Sequence, residues 1–239
     1  KQAAILILQM LLDKSEVKSL IQLGSRGREP DLRLEMVDLV PREKKSEPRI
    51  IFFDLETKRS AEEVRGWDNS HLMGMAVGVV WDSLEQKFYT FYEAEVENLI
   101  EKLKTADLVV GFNLINFDYL VLSAYTGFDF SKLPSFDILL DLYKRAGLRV
   151  SLQHLAEVNL NQSKLGNGLE SIAWVKQGRF DLVEAYCKKD VELTRDLFYF
   201  GLKNQFIRFK SANGELLELT LNWELDKIIE QAKKVNKNL

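Results

Sequence analysis

Apolar and polar positions follow two different periods along this chain. Residues 3–22 carry apolar side chains at helical spacing and predict an amphipathic helix. The wholly apolar run from Ile50 to Phe53 predicts a central buried strand. Two further runs, 73–82 and 86–92, predict strands joined by a connection of hairpin length. The chain therefore begins with a helix and enters a sheet near residue 50.

Helices and strands then alternate. The middle of the chain predicts a helix over 93–106, a strand over 107–111, a helix from about 117, a short strand over 134–137 and mostly helices through Leu202. Residues 206–210 and 216–221 flank Asn213-Gly214, a strong hairpin-turn signal, and a polar helix over 224–234 follows. This order predicts an α/β fold. It has a mixed central sheet of about five strands flanked by helices, an N-terminal helical extension and a C-terminal β-hairpin.

The pattern divides the chain into three segments. Residues 1–48 are an N-terminal helix followed by a charged, proline-containing linker or arm. Residues 49–204 hold the predicted central sheet and its helices. Residues 205–239 hold the hairpin and last helix, which pack on or extend this domain.

Composition limits the chemistry that the chain can perform. Its 239 residues include 33 Lys and Arg against 36 Asp and Glu, with two His and one Cys. A single cysteine excludes an internal disulfide framework, and three Cys and His residues are too few for a four-ligand zinc site of those residue types. Any metal must therefore rest mainly on carboxylates. The net charge of -3 argues against binding nucleic acid through bulk positive charge, but leaves room for a local basic groove.

Four carboxylates fall at informative positions. Asp54 and Glu56 follow the first strand two residues apart, so both side chains point to the same side. Neighbouring carboxylates repel unless a cation lies between them, and Mg²⁺ prefers oxygen ligands. Asp118 follows the fourth strand. Tyr186 and Asp190, four residues apart, share one face of a late helix.

These residues resemble the three motifs of the DEDD superfamily of 3′–5′ exonucleases. The first motif, Asp-x-Glu, matches Asp54-Leu-Glu56, and the second matches Asn113-Leu-Ile-Asn-Phe-Asp118. The third matches Tyr186 to Asp190. Ala185 stands where the histidine subclass requires His, so the chain resembles the tyrosine subclass. The resemblance covers residues 49–202 and implies a ribonuclease H-like fold.

Looser patterns resemble the YprB-type ribonuclease H-like domain, a bacterial exonuclease group associated with helicases in DNA repair. The patterns are Leu152-Gln-His-Leu-Ala156, the segment from Lys164 to Glu170, Trp174, and the hairpin that ends at Trp223. This resemblance implies a helicase partner or a fused helicase domain. A chain that begins with Lys1 rather than Met suits a piece of a longer protein.

The resemblance implies hydrolysis of phosphodiester bonds with two divalent ions, Mg²⁺ or Mn²⁺. Asp54 would bridge both ions, Glu56 and Asp190 would complete one site, and Asp118 would hold the second ion. Tyr186 would orient the attacking water. The implied substrate is the 3′ end of a nucleic acid, with single-stranded DNA favoured over RNA.

Substrate contacts are predicted next to the motifs. The candidates are Thr57, Trp67, Phe112, Asn113, Asn116, Phe117 and Lys164. Trp67 has two open interpretations, a groove residue or a packed residue. Asp137 and Asp141 are interpreted as a strand end, a helix cap or surface residues rather than metal ligands. Cys187 is interpreted as an ordinary helix residue.

Two alternative functions stay open. One is a non-catalytic ribonuclease H-like module that positions nucleic acid or a helicase partner, and the other is a ribonuclease H-like endonuclease. All four acids and the tyrosine are present, which favours an enzyme over a non-catalytic module. No apolar stretch is long enough to cross a bilayer, and we expect a cytoplasmic protein without membrane contact.

Overall fold

The computed structural model describes residues 47–147, 149–163, 168–211 and 213–235. The predicted N-terminal helix and nearly all of the predicted linker lie outside these ranges. Within them the strands are Ile50–Thr57 (β1), Met75–Asp82 (β2), Lys87–Tyr92 (β3), Leu108–Gly111 (β4), Ser135–Asp137 (β5), Phe206–Lys210 (β6) and Leu216–Thr220 (β7). The predicted domain boundaries stay predictions.

Seven α-helices occur in the described ranges. They are Val96–Lys104 (α1), Asp118–Leu122 (α2), Ile138–Ala146 (α3), Leu152–Leu160 (α4), Gly168–Lys176 (α5), Phe180–Asn204 (α6) and Leu225–Val235 (α7). Short 3₁₀ helices cover Trp67–Leu72, Glu93–Glu95, Ser123–Tyr125 and Phe130–Lys132. Among the described residues, no helix is both long enough and apolar enough to span a bilayer.

Five strands form one mixed sheet in the order β3-β2-β1-β4-β5. The first three strands pair antiparallel, whereas β4 runs parallel to β1 and β5 runs parallel to β4. This is the arrangement expected of a ribonuclease H-like fold, and the predicted fold class is confirmed. Strands β6 and β7 form a separate antiparallel hairpin, as the Asn-Gly signal predicts.

The central strand β1 separates two apolar cores. Phe52 enters the core on the α6 side of the sheet, and Phe53 enters the core on the α1 side. Side chains alternate between the two faces of a strand, so Asp54 and Glu56 lie on the same face as Phe52. The period of β1 thus directs both acids toward α6.

Strand β1 is longer than its apolar run. Asp54 pairs with Val79 and Glu56 pairs with Val77, and the register shifts only between Glu56 and Thr57. The predicted strand ended at Phe53 because the apolar residues end there. The antiparallel ladder with β2 continues the strand, since main-chain pairing does not depend on side-chain polarity.

Helix α6 crosses the sheet and also contacts the C-terminal segment. It has 25 residues and packs on β1 and β2. Near its end, a Cβ added at Gly201 would lie 2.4 Å from the ring of Trp223. Trp223 is buried, and its indole N–H donates to Asp141 Oδ2 at 2.8 Å. The hairpin segment is therefore fixed against the far end of the helix that carries Tyr186 and Asp190.

Candidate metal site

Asp54, Glu56 and Asp190 converge between β1 and α6. Each offers one carboxylate oxygen, and these three atoms lie within 4.8 Å of one another. Asp190 is buried, whereas the two acids of β1 are partly exposed. Three hard oxygen donors at this spacing fit a divalent cation such as Mg²⁺ or Mn²⁺. The acidic group can therefore bind metal.

Tyr186 lies one turn before Asp190 on α6. Its side chain is buried, and its ring packs edge-on against Trp174 of α5 with centroids 6.2 Å apart. Burial raises the pKa of the Tyr186 hydroxyl far above its usual value, and the negative charges of Asp190, Glu56 and Asp54 raise it further. The phenol therefore keeps its proton beside the carboxylates and can donate a hydrogen bond.

Asp118 lies beside β1, next to the main chain that carries Asp54 and Glu56. It is the first residue of α2 and is 2% exposed. Its Oδ1 accepts a hydrogen bond from the main-chain N–H of Leu55 at 3.0 Å. Leu55 is the residue between Asp54 and Glu56. It is not one of the three acids whose oxygen atoms converge. Asp118 is thus held beside β1 at a position distinct from that trio.

The carboxyl of Asp118 is buried and has another acid nearby. Burial raises the pKa of this carboxyl well above its usual value, and the charge of Asp54 raises it further. The thiol of Cys187 responds in the same way, since burial and then the three acids raise its pKa. A bound cation would oppose these effects, because its positive charge favours ionised carboxylates. The donor set and the electrostatics both fit metal binding.

The proposed substrate residues separate into exposed and buried positions. Trp67 is 67% exposed and packs edge-on against half-buried Phe117, with ring centroids 5.8 Å apart. Asn116 is exposed. The Trp67 ring thus contacts a neighbour while most of it faces solvent, and its place in a groove stays a prediction. Trp67 and Phe117 form an accessible aromatic pair directly before Asp118.

The other predicted contact residues are buried or half-buried, or lie outside the described residues. Thr57 is buried, and its hydroxyl donates to the Arg59 carbonyl at 3.0 Å. Phe112 packs against the core on the α6 side. Asn113 accepts a hydrogen bond from exposed Arg149 at 3.1 Å. Lys164 lies outside the described residues, so its proposed contact stays a prediction.

Two residues have closer ties to the site than the sequence indicated. Cys187 Sγ lies 3.3 Å from the main-chain oxygen of Asp54 and 3.5 Å from its Oδ2. Its place three residues before Asp190, on the same helical face, was the available signal. Arg149 is an exposed cation beside the second motif, and nothing in its local sequence indicates this contact.

The comparisons with known proteins leave the family open. No protein-family model matches the chain, and no curated protein matches it. Among solved structures, it is similar to the family B DNA polymerase from the hyperthermophilic archaeon Pyrobaculum calidifontis, with 16% identity and a TM-score of 0.49. The match covers 66% of this chain and 26% of the polymerase chain. A likeness at this level does not establish a shared activity.

Proposed function

We propose that this chain is a metal-dependent 3′–5′ exonuclease of the tyrosine subclass of the DEDD superfamily. The observation that carries the proposal is the convergence of Asp54, Glu56 and Asp190, whose carboxylate oxygens lie within 4.8 Å of one another between β1 and α6. Tyr186 lies on the same helical face as Asp190. Each of these residues belongs to a segment that resembles one of the three motifs of that superfamily.

Four carboxylates divide into two groups around β1. Asp54, Glu56 and Asp190 would hold one divalent ion, and Asp54 with Asp118 would hold a second, either Mg²⁺ or Mn²⁺. When bound, such ions stabilise the attacking and leaving oxygens of a phosphodiester displacement and lower the pKa of water. Tyr186, which keeps its proton, would orient the attacking water by a hydrogen bond.

The substrate in this proposal is the 3′ end of a single strand. The exposed ring of Trp67, packed on half-buried Phe117, offers a stacking surface beside Asp118, and aromatic stacking holds bases without regard to sequence. Exposed Arg149 at Asn113 offers a cation for the backbone. A preference for DNA, a role in repair and a helicase partner or fused helicase domain extend the proposal from the resemblance to the YprB-type domain.

Hydrolysis of labelled strands tests this function. Single-stranded DNA, duplex DNA and RNA, labelled at the 3′ or 5′ end, are incubated with Mg²⁺ or Mn²⁺ and with a chelator. We expect mononucleotides released from the 3′ end, and a loss on the order of a thousandfold in Asp54→Asn and Asp190→Asn, which corresponds to about 4 kcal/mol of lost transition-state stabilisation.

A matched control separates the site from general acidity. Asp181 lies on the same helix as Asp190, but it is exposed and pairs with Arg179. Asp181→Asn should retain activity. Hydrolysis that survives in Asp54→Asn or Asp190→Asn would contradict the proposed site. Internal cleavage would favour an endonuclease, and nucleic-acid binding without hydrolysis would favour a non-catalytic module.

A further inference from the structure

Asp137 is a buried acid at the end of β5. Its side chain is 4% exposed, and its Oδ1 accepts the N–H of Leu140 at 3.1 Å, which caps the start of α3. The predicted role of this residue as a helix cap is therefore observed. Capping uses only part of its hydrogen-bonding capacity, because an ionised carboxylate offers about four lone-pair positions.

The remaining capacity of Asp137 is directed at the loop that follows β4. Its Oδ1 also accepts the N–H of Asn113 at 3.0 Å, and its Oδ2 accepts the N–H of Ile115 at 3.1 Å. Hydrogen bonds to a carboxylate are stronger than those between neutral groups. One side chain thus fixes two main-chain positions of residues 112–117.

This loop makes a tight turn. Asn113 has a φ of 67°, in the left-handed region, which Asn adopts more readily than other residues with a side chain. A Cβ added at Gly111 would lie 2.8 Å from Cβ of Leu114, so the loop turns directly back on the strand. The Leu114 carbonyl accepts the N–H of Tyr119 at 3.1 Å, which ties the loop to α2.

The loop ends at Asp118, whose carboxylate is bonded to the N–H of Leu55. Its backbone therefore sets where α2 begins and where Asp118 meets β1. We propose that Asp137 is a positioning residue that fixes this loop and thereby the placement of Asp118 relative to Asp54. The role in catalysis rests on the exonuclease proposed above, whereas the role in metal binding is measured without turnover.

Two variants separate the cap from the loop contacts. Serine is a good helix N-cap but too short to reach both loop amides, so Asp137→Ser keeps the cap and loses the loop contacts. Asp137→Asn keeps the size and Oδ1, and places an amide N–H₂ against the Ile115 N–H. The control is Ser151→Ala, which removes the side-chain cap of α4 at His154 and does not touch the loop.

Metal binding and kinetics are then measured on all variants that fold. Mn²⁺ titration by calorimetry should show affinity reduced about tenfold in Asp137→Ser and less in Asp137→Asn, with a matching fall in kcat, as for other residues that orient metal ligands. Ser151→Ala should bind Mn²⁺ like the natural sequence. If Asp137→Ser does not fold, Asp137→Asn decides the question.

The outcomes separate the two proposals. Unchanged Mn²⁺ affinity and unchanged kcat in a folded Asp137 variant would overturn the positioning role. The same loss in Ser151→Ala would also overturn it, because lost helix stability would then explain the effect. Mn²⁺ binding without hydrolysis in the natural sequence would overturn the exonuclease and leave the positioning role to be decided by affinity. A natural sequence that binds no Mn²⁺ would overturn both.

Discussion

Buried acids occur at both ends of the pairing between β1 and β2, and their surroundings differ. At one end lies Asp82, whose side chain is fully buried. Its Oδ2 accepts a hydrogen bond from Arg49 Nη2 at 2.5 Å and lies 2.8 Å from Lys102 Nζ. Burial opposes its ionisation, but the hydrogen bonds from Arg49 and Lys102 outweigh that effect and lower the pKa of Asp82 to about 2. This carboxylate is ionised and paired within the protein.

At the other end, burial and a neighbouring acid act together. They raise the pKa of Asp118, and Asp54 is the neighbour responsible. The side chains of Asp82 and Asp118 are both almost inaccessible to solvent, and burial opposes ionisation of both. The neighbouring charges differ in sign: Arg49 and Lys102 favour the ionised form of Asp82, whereas Asp54 disfavours the ionised form of Asp118, which a cation from solution would favour.

The largest expected effect concerns the structural end. Asp82→Asn leaves Arg49 and Lys102 without their buried carboxylate and should lower the free energy of unfolding by about 3 kcal/mol. This lies at the lower end of the range for broken buried pairs because both cations also contact Glu85. Urea unfolding measures the loss. An equally large loss in Asp54→Asn would contradict the contrast between the two ends.

Added metal should stabilise the protein only through the acids at the other end, near Asp54. At a free Mn²⁺ concentration one hundred times the dissociation constant, binding should stabilise the protein by about 2.7 kcal/mol. Asp82→Asn should keep this increment, and Asp54→Asn should lose it. Thermal unfolding with and without Mn²⁺ gives the comparison. A gain that persists in Asp54→Asn would place the bound ion elsewhere.

The pH dependence of stability should have opposite signs at the two ends. Asp82 ionises more easily in the folded state, so its contribution of about 2 kcal/mol is present above its ordinary pKa of 3.8 and lost as pH falls toward 2. Asp118 ionises less easily when folded. In metal-free protein it therefore lowers stability as pH rises above 3.8 toward its raised pKa.

Two variants isolate these contributions. The stability difference between the natural sequence and Asp82→Asn should shrink as pH falls from about 4 to about 2. In metal-free protein, Asp118→Asn should become more stable than the natural sequence as pH rises from about 4. The asparagine keeps an oxygen that can accept the Leu55 N–H, so this hydrogen bond need not be lost. If the free energies of unfolding of Asp118→Asn and of the natural sequence changed in parallel with pH, ionisation of Asp118 would not destabilise the folded protein.

The sequence predicts the features of this molecule that depend on local periodicity. The run from Ile50 to Phe53 identifies β1, and a period of two places Asp54 and Glu56 on one face. The Asn213-Gly214 pair identifies the hairpin. These features need only neighbouring residues, because strand period and turn geometry are local properties of the backbone.

The contacts that organise the second motif are not local. Asp118 bonds a main-chain N–H 63 residues earlier, and Asp137 bonds main-chain groups 22 and 24 residues earlier. Such partners depend on which strands become neighbours in the sheet, and an apolar run does not specify its neighbour. The contact of Cys187 with Asp54 is of the same kind, since it forms only when α6 lies on β1.

The exposure of Trp67 gives the molecule an optical probe. Indole emission is sensitive to water, and this ring is largely in solvent, whereas Trp81 and Trp223 are buried. A base that stacks on Trp67 would displace that water and quench or shift its emission. Titration with unlabelled oligonucleotides would then follow strand binding without any dye, and Trp67→Phe would remove the contribution of Trp67 while keeping an aromatic ring against Phe117.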